Sequence, residues 1–474
     1  MQLKEYFWVP NKERKQNVSR VGLVQLALPI MLENVLRVTV GVVDIAFLSR
    51  LSDEVVSAVS ISNQYITFCQ MIAVAMATSA TVCVNQALGM KNREKVNLFA
   101  TIALSVNMLL GLFFGALFLT VPHVFLKIMS LKESALSAAV LYMRIAGGMM
   151  VIQCVEIVLE GLCRSLGRIR APMVISLFSN IVNVIGNYLA VFHSDWFWNV
   201  DPVAGVAIAT VISRVVALLI ALFIARRSGL RVSPKYLRPF PKASFRLVLS
   251  IAIPGGVNMV SYSLGQIVTT AIVSFMSKDV SFMDVDIIAA KVYVTNIVQY
   301  VAIIGQSFST ASSVMVGYRL GAAEYDEAKK VCKIVMWIAL LSNGIISLSL
   351  ITVRYPLIRF FTKDEAIIAL AAAIFFLDFP VEIGRALNHS IGGALQAAGD
   401  MVFQLFVNQG SAWIIAVGGS YLFGIVCHLG LYGVWMAFAC DELFRGITML
   451  LRWKSERWLR GAQKKKSVIA DKNL

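Results

Sequence analysis

Charge is what this chain most lacks. Only 15% of its 474 residues are Asp, Glu, Lys or Arg, while 58% are hydrophobic and the mean hydropathy is +0.75. A soluble globular chain carries about 25% charged residues, so the solvent for most of this chain is lipid. C-x-x-C pairs are absent too: the seven cysteines (69, 83, 154, 163, 332, 427 and 440) all fall in apolar runs. That excludes a thiolate metal site or a disulfide framework and leaves small hydrophobes in helices. A cleaved signal peptide is excluded by a basic opening, MQLKEYFWVPNKERKQN, that stays polar too long. No alternating period-2 pattern supports a barrel, so helices are the spanning elements.

What is present is a succession of apolar runs. A spanning helix needs about 20 mainly apolar residues. Such runs centre on 21–48, 55–86, 97–122, 134–161, 171–193, 203–225, 245–276, 286–317, 329–352, 366–396, 402–425 and 430–451. The sequence therefore predicts an all-α integral membrane protein with twelve transmembrane helices. With the N-terminus inside, the cytoplasmic segments hold 30 Lys and Arg and the external loops 8. That bias orients the chain with both termini in the cytoplasm. It also accounts for the net charge of +16. The basic runs Arg226–Arg246 and Lys464–Lys466 lie beside spans, where anionic lipid headgroups are their natural partner. No stacking platform of aromatics interleaves them, so no nucleic-acid partner is expected.

The chain repeats itself. LALPI (26–30) recurs as IAIPG (251–255), with prolines 225 residues apart. QALGMKNREKV (86–96) recurs as YRLGAAEYDEA (318–328), and GLCRSLGRIRAP (161–172) as GALQAAGDMVFQ (393–404), both at 232. Two homologous six-helix halves follow, and because six is even they are parallel repeats. The expected organisation is a cytoplasmic segment 1–20, an N-terminal lobe 21–225, a linker 226–244, a C-terminal lobe 245–452 and a basic tail 453–474. Two lobes enclosing a midplane site imply a transporter, and the two halves already build a complete cavity, so a monomer suffices.

An intramembrane charge costs about 2.5–3.5 kcal/mol on insertion scales and needs a partner or a wet cavity. At 100° per residue, Glu33, Arg37 and Asp44 fall within about 40° on the first span. They either line a cavity or, as Glu33–Arg37 at i,i+4, hold helices together. Burial favours a neutral carboxyl group, which suits Asp44 as a proton carrier. Asp378, Glu382, Arg385 and His389 share a face of the tenth span within about 60°. Glu156, Glu160 and Arg164 share one on the fourth, and Asp441, Glu442 and Arg445 sit together on the twelfth, where structural pairing is expected. Lys291, near the outer start of the eighth span, is expected to snorkel to the interface. Pro29 frees a carbonyl inside the first span and is either a hinge or a static bend. No nucleophile elbow, metal spacing or phosphate loop points to an enzyme, and neither a cofactor nor a bound metal is expected.

Four segments together resemble the multidrug and toxic compound extrusion (MATE) family over nearly the whole chain. LALPI with VVDIAFLSRL (42–51) is similar to the family's first span, and QALGMKNREKV to its Q-x-x-G block. EGLCRSLGRIRAP (160–172) is similar to its G-A-L-R-G-x-G block, and GVAIATVIS (205–213) to its sixth span. The resemblance implies paired six-helix bundles exporting small organic compounds by antiport with H⁺ or Na⁺. It implies that Asp44 couples the cation, with Asn183, Asn187 and Thr210 as its partners. Asn187 stands where an acid is common in the family, which favours protons over sodium. The sodium-coupled branch has acids at positions matching Arg385 and Tyr262, and here neither is acidic. Glu33, Arg37, Glu156, Glu160, Tyr262, Glu382 and Arg385 are then candidates for lining the cavity and touching substrate. Acids outnumber bases on spans 1, 4 and 10, which favours cationic or amphipathic compounds. The competing reading is a lipid-linked precursor flippase of the same superfamily, with Arg37 and Arg385 meeting a pyrophosphate.

Overall fold

The computed structural model describes residues 22–128, 133–193, 201–276 and 286–470. The N-terminal segment 1–20 and the side chains of Lys464–Lys466 lie outside the described residues. The described chain is helical, with no strand among the described residues.

We number the long helices in chain order. The first six are α1 (Leu23–Leu48), α2 (Asp53–Gly89), α3 (Arg93–Thr120), α4 (Glu133–Tyr142 continued by Met150–Ser165), α5 (Ala171–Phe192) and α6 (Pro202–Arg227). The next six are α7 (Lys242–Met276), α8 (Ile287–Gly321), α9 (Tyr325–Thr352), α10 (Glu365–Ala397), α11 (Met401–Val426) and α12 (Gly430–Lys454). Ten are long and apolar enough to cross a bilayer on their own. The eleventh, α4, is broken: a π turn at Met143–Gly147 separates two halves bent by 46°. The twelfth expected span appears as α12, whose 25 residues reach about 37 Å at 1.5 Å each. Every 18-residue stretch of α12 contains Asp441, Glu442 and Arg445, so hydropathy alone under-reads it. A further amphipathic helix, α13 (Arg457–Ala470), follows, with Trp458 buried and stacked on Trp453 at 4.1 Å.

Local chemistry starts these helices where the sequence punctuates. Ser52, Asn92, Asp201, Asp286 and Asp364 each cap a helix by accepting a backbone N–H in its first turn. Outward faces of the helices expose Leu219, Ile345, Phe406 and Ile414, as lipid-facing surfaces should.

The chain packs as two compact units that divide between Gly256 and Val257, inside α7 and next to Pro254. The stretch 226–244 belongs with the first unit. Asn97 on α3 accepts a hydrogen bond from the Arg231 backbone and donates one to Tyr236, fastening a short 3₁₀ turn at Pro234–Leu237.

The repeat is written in the backbone. Lys91 and Ala323, 232 positions apart, both take positive φ (56° and 63°), as do Gly167 and Gly399 (82° and 74°). At each, the following N–H reaches back five residues: Asn92 to Ala87, Glu324 to Arg319, Arg168 to Cys163 and Asp400 to Leu395, all within 2.9–3.0 Å. These are Schellman-type helix ends, duplicated bond for bond.

Candidate functional sites

In the first unit, α1, α5 and α6 bring Asp44 beside three neutral polar residues. Asn187 donates its Nδ2–H to Asp44 Oδ1 at 2.5 Å and to Asn183 Oδ1 at 3.2 Å. Asn183 in turn donates to Thr210 Oγ1 at 3.4 Å. The spacing explains the cluster: 183 and 187 are one turn apart on α5, which packs against both α1 and α6. Asn183 and Asn187 are buried while Asp44 is half-buried, so the carboxylate sits at the wetter end. The Oδ1 of Asn187 is buried without a hydrogen-bond partner. Among the described residues no Lys, Arg or His lies within 4.0 Å of Asp44. Tyr142, the last residue before the π turn of α4, donates to Asn63 Oδ1 at 3.2 Å.

The other acids of this unit are bound to bases. Glu33 accepts from Arg164 at 2.8 Å and from Arg37 at 3.0 Å, and Arg37 also reaches Glu160 at 3.0 Å. Glu156 meets Arg214 of α6 at 3.5 Å, with its second oxygen buried and unpartnered. Glu156, Glu160 and Arg164 share a face of α4, yet each finds its partner on another helix. Arg214 escapes a reading that counts apolar runs. Its signal is nonetheless in the sequence, four residues and therefore one turn after Thr210. Pro29 lies within α1, which continues as a single helix through it.

In the second unit the charges sit on α10 and α12. Glu382 is fully buried; it pairs with Arg385 and accepts from Asn343 at 3.2 Å. Arg445 pairs with Asp441 and, at 3.0 Å, with Glu442, which also lies 3.8 Å from Arg385. Gly384 permits this closeness: a Cβ there would stand 2.5 Å from the Glu442 backbone. Beside the cluster is a cavity of about 330 Å³. Tyr262, Arg385, Asp441, Glu442 and Arg445 line it, and Glu382 does not.

Two further lining residues form no ion pair within 4.0 Å among the described residues, although Asp378, seven residues before Arg385 on α10, lies within reach of its charge. Asp378 accepts from Trp435 Nε1–H at 3.2 Å through one oxygen, while its other oxygen is buried and unpartnered. Lys291 does not snorkel. It is 7% exposed and turned inward, with Nζ 2.8 Å from Thr270 Oγ1. Helix phase decides this: Ile287, Ala290, Lys291, Val294 and Val298 form one buried stripe of α8.

Comparison with known proteins agrees with this architecture. The MatE family profile matches residues 29–189 and 254–422. The chain is 30% identical over 439 residues to the uncharacterized transporter YisQ of Bacillus subtilis, covering 92% of this chain and 95% of that one. It is 26% identical to the probable multidrug resistance protein NorM of Thermotoga maritima, covering 93% of each. An outward-facing MATE family transporter of the MOP superfamily superposes with a TM-score of 0.83 at 17% identity, over 93% of this chain and 96% of that one. A MOP superfamily transporter from Pyrococcus furiosus, described as having a binding pocket of reverse polarity, gives 0.80 at 17% identity, over 95% and 96%. With the profile covering most of both repeats and a 30% identical relative along almost the full length, the chain belongs to the MatE (multidrug and toxic compound extrusion) family of multi-pass membrane transporters.

Proposed function

We propose that this protein is a secondary active exporter of small organic compounds, cationic or amphipathic, driven by proton antiport through Asp44. One observation carries the reading. Asp44 accepts its hydrogen bond from a neutral amide and has no base within 4.0 Å among the described residues, Arg214 acting on it only from farther off, whereas Glu33, Glu156 and Glu160 are in ion pairs with arginines. A carboxylate with neutral partners gains and loses a proton without breaking an ion pair, so its protonation is the cheaper event to couple to a conformational change. Antiport requires that the proton bind inward- and outward-open states unequally. The Asn187–Asp44 bond exists in full only for the ionised acid and is the contact such a difference acts through, with Pro29 as a point where α1 can bend.

The same geometry favours H⁺ over Na⁺. Asn187 turns its donor Nδ2 toward both Asp44 and Asn183, and sodium wants several oxygen ligands instead. Residues Glu33, Arg37, Glu156 and Glu160 then hold the lobe's helices together, while Tyr262 and Arg385 face a cavity. On this reading the protein works as a monomer in the cell membrane with both termini cytoplasmic, and it has no enzymatic step, resident cofactor or nucleic-acid partner. The flippase alternative needs free guanidinium groups, but Arg37 and Arg385 are each engaged by glutamates.

The test is efflux of a fluorescent cation from proteoliposomes under a pH gradient or a sodium gradient of equal size. Transport driven by pH and lost in Asp44→Asn supports the proposal. Sodium-driven transport refutes the proton assignment, and undiminished export by Asp44→Asn removes the residue from the mechanism.

A further inference from the structure

The cavity of the second unit carries, among the described residues, one acid and one base that no ion pair within 4.0 Å engages. Its arginines are committed: Arg385 to Glu382 and Glu442, Arg445 to Asp441 and Glu442. Lys291 is different. Its ammonium group has three donors, one neutral partner in Thr270, and no carboxylate within 4.0 Å among the described residues. Asp378 is its counterpart, with one oxygen held by the Trp435 indole and the other buried and unmet. Both line the same cavity of about 330 Å³. A buried charge without a partner is expensive unless something supplies one, and the two charges are not paired with each other. Around them the wall alternates neutral polar groups, among them Gln266, Thr295 and Asn296, with apolar ones such as Val381, Ala416 and Phe438. A mid-sized hollow in which polar groups converge between apolar patches suits a small organic ligand that carries charge.

We infer that this cavity is a binding site for zwitterionic organic compounds, with the acid of the ligand on Lys291 and its amine on Asp378. The inference rests on the export reading for its physiological sense and names a substrate class for this lobe. It does not depend on proton coupling. A compound carrying only an amine leaves Lys291 unmet, and one carrying only an acid leaves Asp378 unmet. Preference therefore comes from the pair of charges rather than from greasiness.

Three dansyl probes separate these contributions. Nε-dansyl-lysine is a zwitterion, dansylcadaverine lacks its carboxylate, and dansyl-6-aminohexanoate lacks its amine. Their equilibrium binding is measured by fluorescence on the purified full-length protein in lipid nanodiscs, without any ion gradient. For the wild type, dansyl-lysine is expected to bind at least about tenfold more tightly than either truncated probe, the scale of one charge-assisted hydrogen bond. In Lys291→Met the advantage over dansylcadaverine vanishes while that over dansyl-aminohexanoate persists. In Asp378→Asn the pattern reverses, and Lys291→Arg restores the wild-type order.

Equal affinity of the three probes for the wild type overturns the inference, and needs no variant to do so. Equal weakening of all three probes in Lys291→Met also overturns it, because that is the mark of a structural lysine. Dansyl-lysine affinity unchanged in Asp44→Asn separates the two proposals. Binding then stands even where pH-driven flux fails, and flux can stand where selective binding is absent.

Discussion

The first helix of each repeat shows how far the two lobes have diverged. Aligned on Pro29 and Pro254, Glu33 of α1 corresponds to Asn258 of α7, Arg37 to Tyr262 and Asp44 to Thr269. Where α1 carries Glu, Arg and Asp, α7 carries Asn, Tyr and Thr, so the ion pairs that tie α1 into its lobe have no counterpart on α7. The second lobe places its charges on α10 and α12 instead, where α4 has Ala146, Met150 and Gln153 opposite Asp378, Glu382 and Arg385. The first lobe spreads its ion pairs over three helices, α1, α4 and α6; the second concentrates them on the α10–α12 contact. A duplicated scaffold has thus kept its helix order and moved its chemistry. The neutral carboxylate clamp belongs to one lobe and the mixed-charge cavity to the other.

The strongest way to break this comparison is to exchange the chemistry between lobes. Asp44→Asn should reduce pH-driven export to background, and adding Thr269→Asp should not restore it, because α11 offers Ile415 and Gly419 where α5 has Asn183 and Asn187. Recovery of flux in the double variant would show that the lobes are interchangeable.

The next effect is on stability. Glu33→Gln takes the carboxylate from Arg164 while Arg37 keeps Glu160, and removing one partner of a buried pair costs about 3 kcal/mol or more. The thermal midpoint of the purified variant should fall clearly. The matching Asn258→Gln on α7 should leave it nearly unchanged. Similar midpoints for the two would mean that the α1 network carries no special weight.

Smaller again is the packing test. Gly384→Ala forces a methyl group into the Glu442 backbone, and overpacking of this kind costs about 1–3 kcal/mol. Gly344→Ala has 3.6 Å of clearance to its nearest neighbour and should be silent. The smallest expected change is at Lys329, which pairs with Glu456 on an exposed surface. Lys329→Ala should move stability by less than about 1 kcal/mol. A larger shift would mean that the join between α9 and α13 is firmer than the exposure of the pair implies.

Much of this could be read before any coordinates. Apolar runs of spanning length gave the helices, and the proline and glycine offsets gave the repeat. Both are properties of composition over many residues, where lipid imposes a strong and local rule. The gathering of Asp44, Asn183, Asn187 and Thr210 came through resemblance, since no spacing rule joins the one-turn pair Asn183–Asn187 to Thr210, at least 23 positions on, or to Asp44, at least 139 positions back. Three features were missed for physical reasons. Arg214 was absorbed into an apolar run because one charge barely changes the hydropathy of a long window. Lys291 was assigned to the interface by its depth in sequence, whereas helix phase turned it inward. The break in α4 falls between Gly147 and Met150, directly after the π turn at Met143–Gly147, and the pair Gly147–Gly148 that marks it in the sequence reads equally well as close helix packing.

The duplicated helix ends have a consequence of their own. Each is closed by a bond from a main-chain amide to a main-chain carbonyl, so no side-chain hydrogen bond is needed to make the joint. Lysine at one site and alanine at its twin both close the turn, each at the left-handed backbone's cost of about 1 kcal/mol that glycine avoids at 167 and 399. Such joints let a doubled gene age unevenly: the carpentry stays fixed while everything hung upon it is exchanged, and one ancestral half becomes two dissimilar instruments.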